Sequence, residues 1–155
     1  MALKAKVANK VQTNEKGLVE GTIIRVLEID ERTEIEKGKE VTYAAQFEFQ
    51  IEAEGSQKSV IYRIWTRQTF NNEKYEKQDG THDYNDFTRL MLQLQMIKES
   101  DLKDLKDSKL TDFDVESVEG LQIIFELEPS KKAKGLKVPK LTSIKPLEPP
   151  KTTAK

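Results

Sequence analysis

Between Val60 and Arg67 the chain reads Val-Ile-Tyr-Arg-Ile-Trp-Thr-Arg. Side chains of an extended strand alternate between its two faces. Val60, Tyr62, Ile64 and Thr66 therefore share one face, and Ile61, Arg63, Trp65 and Arg67 share the other. The first set suits a core. The second places an indole between two guanidinium groups, which is the chemistry of binding rather than of bond breaking. Unpaired bases offer bare π-faces that stack on aromatics for about 1–3 kcal/mol per base, while arginines engage phosphates. This face is expected to hold single-stranded nucleic acid, DNA or RNA. Arg25, on an earlier apolar stretch, extends the same surface. Phe70, Lys74 and Tyr75 follow among Asn71, Asn72 and Gln78, polar text in which a core aromatic is not expected. The plainer alternative makes Trp65 the largest core residue, because tryptophan is highly buried on average. Arg63 and Arg67 would then pair with surface glutamates.

Residues suited to catalysis are few. His82 is the only histidine and cysteine is absent, so thiol nucleophiles and zinc sites of the usual nitrogen and sulfur kind are excluded. Asp79, Asp83 and Asp86 could hold a hard cation, but the ordered aspartate-glycine loop of a calcium site is missing. Helix capping accounts for Asp83 and Asp86 more simply. Neither a glycine-rich phosphate loop nor a Gly-x-Ser-x-Gly elbow occurs. No cofactor, no metal and no enzymatic activity are expected. A carboxylate-metal nuclease using Asp83 or Asp86 ranks last, since no paired base and nucleophile can be named.

The elements that must position this strand are readable from periodicity. Residues 1–17 are polar and predict a loose arm. Leu18 to Asp30 is apolar and β-branched, a first strand in which Gly21 marks a bulge or a close backbone approach. Residues 31–40 are charged and contain Gly38, which predicts a loop or a hairpin tip. Val41, Tyr43, Ala45, Phe47, Phe49 and Ile51 alternate with polar neighbours, the pattern of a half-buried strand. The Arg/Trp strand comes third. Asp83 or Asn85 can cap a helix, and Phe87, Leu90, Met91, Leu94 and Ile97 form its apolar stripe. Ser100 is placed to cap a further helical turn. Leu121 to Leu127 predicts a fourth strand, and the stretch with Val138, Leu141 and Ile144 a fifth. From Pro146 onward, a proline-bearing tail has no regular structure. Three strands, one helix and two strands predict a mainly β fold: a five-stranded, OB-like β-barrel at 18–145, with the helix between strands three and four.

The 155 residues suit one domain. With 26 basic and 27 acidic residues, the net charge is −1, so a strongly basic footprint is missing from the average. The charges are segregated instead. Lys131, Lys132, Lys134 and Lys137 crowd the loop between the last two strands. In an OB-like fold that loop flanks the ligand groove, which adds Lys131, Lys132 and Lys134 to the candidate binding residues. No apolar run is long enough for a membrane span, and the opening residues lack a secretory signal. Together with the missing cysteine, this fits a cytoplasmic protein with no membrane partner.

The Val41–Ile51 strand, the Arg/Trp strand and the helix Asp-Tyr-Asn-Asp-Phe-Thr-Arg-Leu-Met-Leu-Gln-Leu-Gln-Met-Ile at 83–97 resemble the small single-stranded DNA-binding proteins of Gram-positive phages and conjugative plasmids. The resemblance spans roughly residues 18–145 and lies in layout rather than in a sharp motif. It implies binding with little sequence preference, and roles in DNA replication, recombination or conjugative transfer. Cellular relatives of that kind are similar in ending on an acidic, partner-recruiting tail. Here the sequence reads Pro-Pro-Lys-Thr-Thr-Ala-Lys, a departure from that pattern. Single modules often need several copies for tight binding, so a homo-oligomer is a fair expectation. The competing reading is a phage or plasmid accessory protein that binds another protein and no nucleic acid.

Overall fold

The computed structural model describes residues 3, 5, 7–103, 105, 109–130 and 135–147. Among these residues the fold is mainly β with one α-helix. A five-stranded antiparallel sheet runs in the order β3-β2-β1-β6-β9. Its strands are β1 (Val19–Glu36), β2 (Lys39–Ala53), β3 (Val60–Arg67), β6 (Gln122–Phe125) and β9 (Lys145–Pro146). Two small hairpins stand apart, β4–β5 (Tyr75–Glu76 with His82–Asp83) and β7–β8 (Leu127–Pro129 with Lys137–Pro139). The α-helix, α1 (Asp86–Gln93), follows the first hairpin.

β1 and β2 form the spine. Lys37 and Gly38 take left-handed φ values of 52° and 77°. A two-residue turn with both central residues at positive φ matches the twist of the strands it joins. The hairpin tip expected within 31–40 is thus confined to Lys37 and Gly38, and the rest of that stretch is strand rather than loop, with Glu31, Thr33 and Ile35 facing Ala44, Thr42 and Glu40. Charged text misled here because β3 ends opposite Gln46 and β6 ends opposite Thr22. The far end of the hairpin is a two-stranded ribbon with little apolar surface to hide. Where it leaves the sheet, Ala45 is exposed at φ 52°. That breaks the pleat, so Tyr43 does not extend the core face of Phe47 and Phe49.

The core face carries Val19, Ile23, Val26, Phe49, Ile51, Ile64, Ile123 and Phe125, all buried. Across it lie Phe87, Leu90, Met91 and Leu94 of the helical stripe, with Ile97 just beyond the helix. Asn85 caps α1, its Oδ1 accepting from the Thr88 N–H at 2.8 Å. Ser100 caps nothing; it lies inside a 3-10 turn, Glu99–Leu102, where Asp101 accepts from the Lys98 N–H.

The expected closed barrel does not form. β3 and β9 remain the two edges of an open sheet. The sheet is nonetheless strongly curled. Tyr62 on β3 and Phe125 on β6 meet edge-to-face at 5.9 Å between ring centroids, although their strands would lie about 14 Å apart in a flat sheet at the usual spacing. The β7–β8 hairpin comes against β3 without pairing to it. The expected fifth strand is split into β8 and β9 by a 3-10 turn, Leu141–Ser143. Two bonds from Gln93 Nε2, to Leu141 O and Ile144 O, tie that turn to α1. Split strands cannot supply the continuous ladder that closure needs.

Among the described residues, one segment near each end of the chain departs from expectation. The first arm is not loose from Asn9 to Gln12. It clasps the β2–β3 turn through Ser56 N–H to Lys10 O, Gln12 N–H to Glu54 O, and Asn9 Oδ1, which accepts from Gln57 and Lys58 N–H. Pro146 belongs to β9 and pairs with Ile123 rather than starting the tail. Among the described residues no helix is long and apolar enough to cross a membrane.

Gly21 is the close approach the sequence suggested, while the bulge falls at Ile24. A Cβ at Gly21 would sit 2.9 Å from Glu52 O and 3.0 Å from Ile51 Cγ2. Gly21→Ala is therefore expected to destabilise by about 1–3 kcal/mol through overpacking. Urea unfolding should show a lower midpoint with an unchanged slope, and an unaltered midpoint would contradict the assignment.

Candidate nucleic-acid interface

Directly paired residues in adjacent antiparallel strands share a face. On the outer face this builds three rungs across β1, β2 and β3: Arg25–Gln50–Arg63, Leu27–Glu48–Trp65 and Ile29–Gln46–Arg67. Arg25, Arg63 and Arg67 are exposed, and Trp65 is half-buried. The residue opposite each of them on β2 is polar, and the buried Ile64 and Thr66 point the other way. Trp65 is therefore not part of the main core.

Glu48 organises the middle rung. It is only 8% exposed although it lies on the outer face. Its Oε1 accepts from the Trp65 indole N–H at 2.9 Å, and its Oε2 accepts from Gln50 Nε2 at 2.7 Å. Arg63 Nε stands 3.7 Å from Oε2. One carboxylate thus fixes the indole edge-on and offsets part of the arginine charge.

Sequence reasoning missed Arg32 and Tyr43. Arg32 lies in text read as a loop, yet its Cζ sits 3.9 Å from the Trp65 ring centroid and 4.7 Å from that of Tyr43. The guanidinium is held by Nε donating to Gln46 Oε1 at 3.1 Å and by an ion pair with Glu34. Tyr43 donates to Glu36. The ribbon therefore reaches back over the sheet and adds a Tyr43–Arg32–Trp65 stack to the outer face. A cross-strand Arg/Tyr pair was visible only once the hairpin register was known.

The candidates after β3 separate. Tyr75 joins the arginine face, because Arg67 Nη1 donates to its hydroxyl at 3.1 Å. Lys74 is exposed and directed instead toward the Tyr84 ring, 5.4 Å away. Phe70 does not belong to the face. Its ring packs on Phe87 at 4.7 Å and Phe113 at 5.5 Å, and it lines an apolar cleft of about 320 Å³ beside the core. Polar neighbours in sequence disguised a residue that turns inward. Lys131, Lys132 and Lys134 lie outside the described residues, while Lys137 at the foot of the same hairpin is exposed. His82 is exposed and paired in register with Glu76.

Asp83 anchors this region to the helix. Arg89 Nε donates to both carboxylate oxygens at 2.9 Å, and the Tyr84 N–H donates at 2.8 Å. Burial raises the Asp83 carboxyl, but the hydrogen bonds from Arg89 and Tyr84 outweigh it and hold the group below its ordinary value. The same pairing raises Arg89.

Two outcomes follow from these contacts. Arg32→Ala is expected to cost about 0.5–2 kcal/mol, the usual range for a cation–π contact, and to make Trp65, the one tryptophan, more accessible to acrylamide. Equal quenching in variant and wild type would show that the stack does not shield the indole. Asp83→Asn is expected to cost about 1–3 kcal/mol at neutral pH. Because the folded carboxyl is depressed, that advantage of the wild type holds above the unfolded value near about pH 4. It is lost as pH falls through the lower folded value. Urea unfolding at graded pH reads the difference, and a gap that persists in strong acid would contradict it.

Comparison with family models, with characterised proteins and with solved structures returns no match for this chain, so the outer face stands on its own geometry.

Proposed function

We propose that the chain is a non-catalytic, cytoplasmic single-stranded nucleic-acid-binding protein with DNA as its favoured ligand. It binds with little sequence preference and serves replication, recombination or conjugative transfer. One observation carries the reading: Arg25, Arg63 and Arg67 stand exposed around a half-buried Trp65 on the face of the sheet that packs no core. Stacking on an aromatic tolerates any base, and a cationic track follows any backbone. Arg32 adds to the platform, since guanidinium planes also stack bases. The net charge of −1 does not oppose this, because local potential governs encounter rather than the total.

The element order supports an OB-like plan. Three strands meander, a short hairpin and a helix follow, and the next strand, β6, pairs back onto β1. The sheet itself is curled and open rather than closed. The resemblance of the sequence to phage and plasmid single-stranded DNA-binding proteins points the same way. One feature favours the competing protein-interaction role. The ribbon beyond Ala45 has two strands only, and unpaired strand edges accept an added strand.

Titration of Trp65 fluorescence with oligo-dT at two salt concentrations tests the reading. Saturable quenching is expected. The affinity should fall steeply between about 50 and 200 mM salt as phosphate contacts release counterions. Arg63→Ala should lower the log–log salt slope by about one. Unchanged fluorescence and unchanged gel mobility at low salt would overturn the proposal. A stoichiometric protein partner retained after nuclease treatment would then favour the interaction module.

A further inference from the structure

The β4–β5 hairpin presents a second cationic cluster beside the Arg/Trp face. Its turn is closed by Lys77 N–H to Thr81 O at 2.7 Å and Gly80 N–H to Lys77 O at 3.0 Å. Tyr75 and Lys77, two residues apart, meet on one side, with Lys77 Nζ donating to the Tyr75 hydroxyl at 3.2 Å. Arg67 Nη1 reaches the same oxygen at 3.1 Å from the end of β3. Two cations thus converge on one uncharged oxygen. Neither forms an ion pair with a carboxylate of the described residues. Nearby carboxylates hydrogen-bond to other groups, Asp83 to Arg89 and Asp86 Oδ1 to the N–H groups of Arg67 and Phe87, while Lys77 acts on Asp83 only through space. Burial raises the Tyr75 phenol, yet the hydrogen bonds from Lys77 and Arg67 outweigh it and hold the group below its ordinary value. Both side chains thus direct donors to a neutral hydroxyl rather than to a carboxylate.

We propose that Arg67, Tyr75 and Lys77 form a phosphate subsite that receives a phosphodiester of the single-stranded ligand, which rests on the function proposed above. Arg67 supplies a planar fork, Lys77 a point charge, and the Tyr75 hydroxyl a third donor once both cations turn to the incoming oxygen. Arg67 follows Trp65 by two residues on the same face, about 6.5 Å along the strand. A base stacked at Trp65 can therefore place its own phosphate at the cluster. The subsite sets register along β3, while Trp65 and Arg32 hold the base.

The test uses the full chain and oligo-dT across a salt series. Lys77→Ala is expected to lower the log–log salt slope by about one, and Lys77→Arg to restore it. Tyr75→Phe should weaken binding about two- to tenfold, the loss of one hydrogen bond. Wild-type binding with both slope and affinity unchanged in Lys77→Ala and Tyr75→Phe would overturn the subsite and leave the function standing. A wild type that does not bind the oligonucleotide overturns the function and the phosphodiester source together. Inorganic phosphate supplies an independent readout. Drawing Arg67 and Lys77 off the phenol should raise the Tyr75 titration, read as the absorbance difference between wild type and Tyr75→Phe. A rise with phosphate but no oligonucleotide binding would leave a site for isolated phosphate. No rise and no binding would remove it altogether.

Discussion

Lys37 and Gly38 close the β1–β2 hairpin in left-handed backbone, and the register they impose propagates through the whole molecule. β3 takes its register from β2, and β6 from β1. A slip of one residue would turn every side chain to the opposite face. It would carry Phe49 and Ile51 outward and bring Glu48 and Gln50 into the core. The same register sets Arg32 against Tyr43 and Trp65 against Glu48, so core and outer face are specified by one pairing.

The curl of the sheet divides the aromatic residues between two duties. Phe47, Phe70, Phe87 and Phe113 gather at one end of the inner side, and Tyr62 closes on Phe125 across it. These contacts bury apolar area, the dominant favourable term in folding. Trp65, Tyr43 and Tyr75 remain on the outer side, each in contact with at least one cation. An aromatic left outside the core and dressed with guanidinium or ammonium groups offers stacking and charge together. Glu48 restrains that face: it fixes the indole and offsets part of the charge of Arg63 next to it.

Much of the fold was legible because it follows from period. Strict alternation from Phe47 to Ile51 and from Val60 to Arg67 separated core from wet residues. The 3.6-residue stripe from Phe87 to Leu94 located the helix against the core. Period failed where burial was slight. The charged ribbon at 31–36 reads as a loop because neither of its faces meets a core, yet backbone pairing alone makes it strand. The closed barrel failed for a different reason, since the 3-10 turn at Leu141–Ser143 divides the last strand into pieces too short to seal the sheet.

The sequence by itself determined which strand carries the candidate chemistry, how its side chains divide between two faces, and which helix packs beneath. These are local properties, dictated by side-chain alternation and helical spacing. Only the tertiary structure decided that Phe70 turns inward while Tyr75 turns to Arg67, that Arg32 lies on Trp65, and that Lys77 shares its partner with Arg67. Each of those meetings joins separate strands or hairpins. Their distances depend on sheet curl and hairpin register, which no periodicity along the chain encodes.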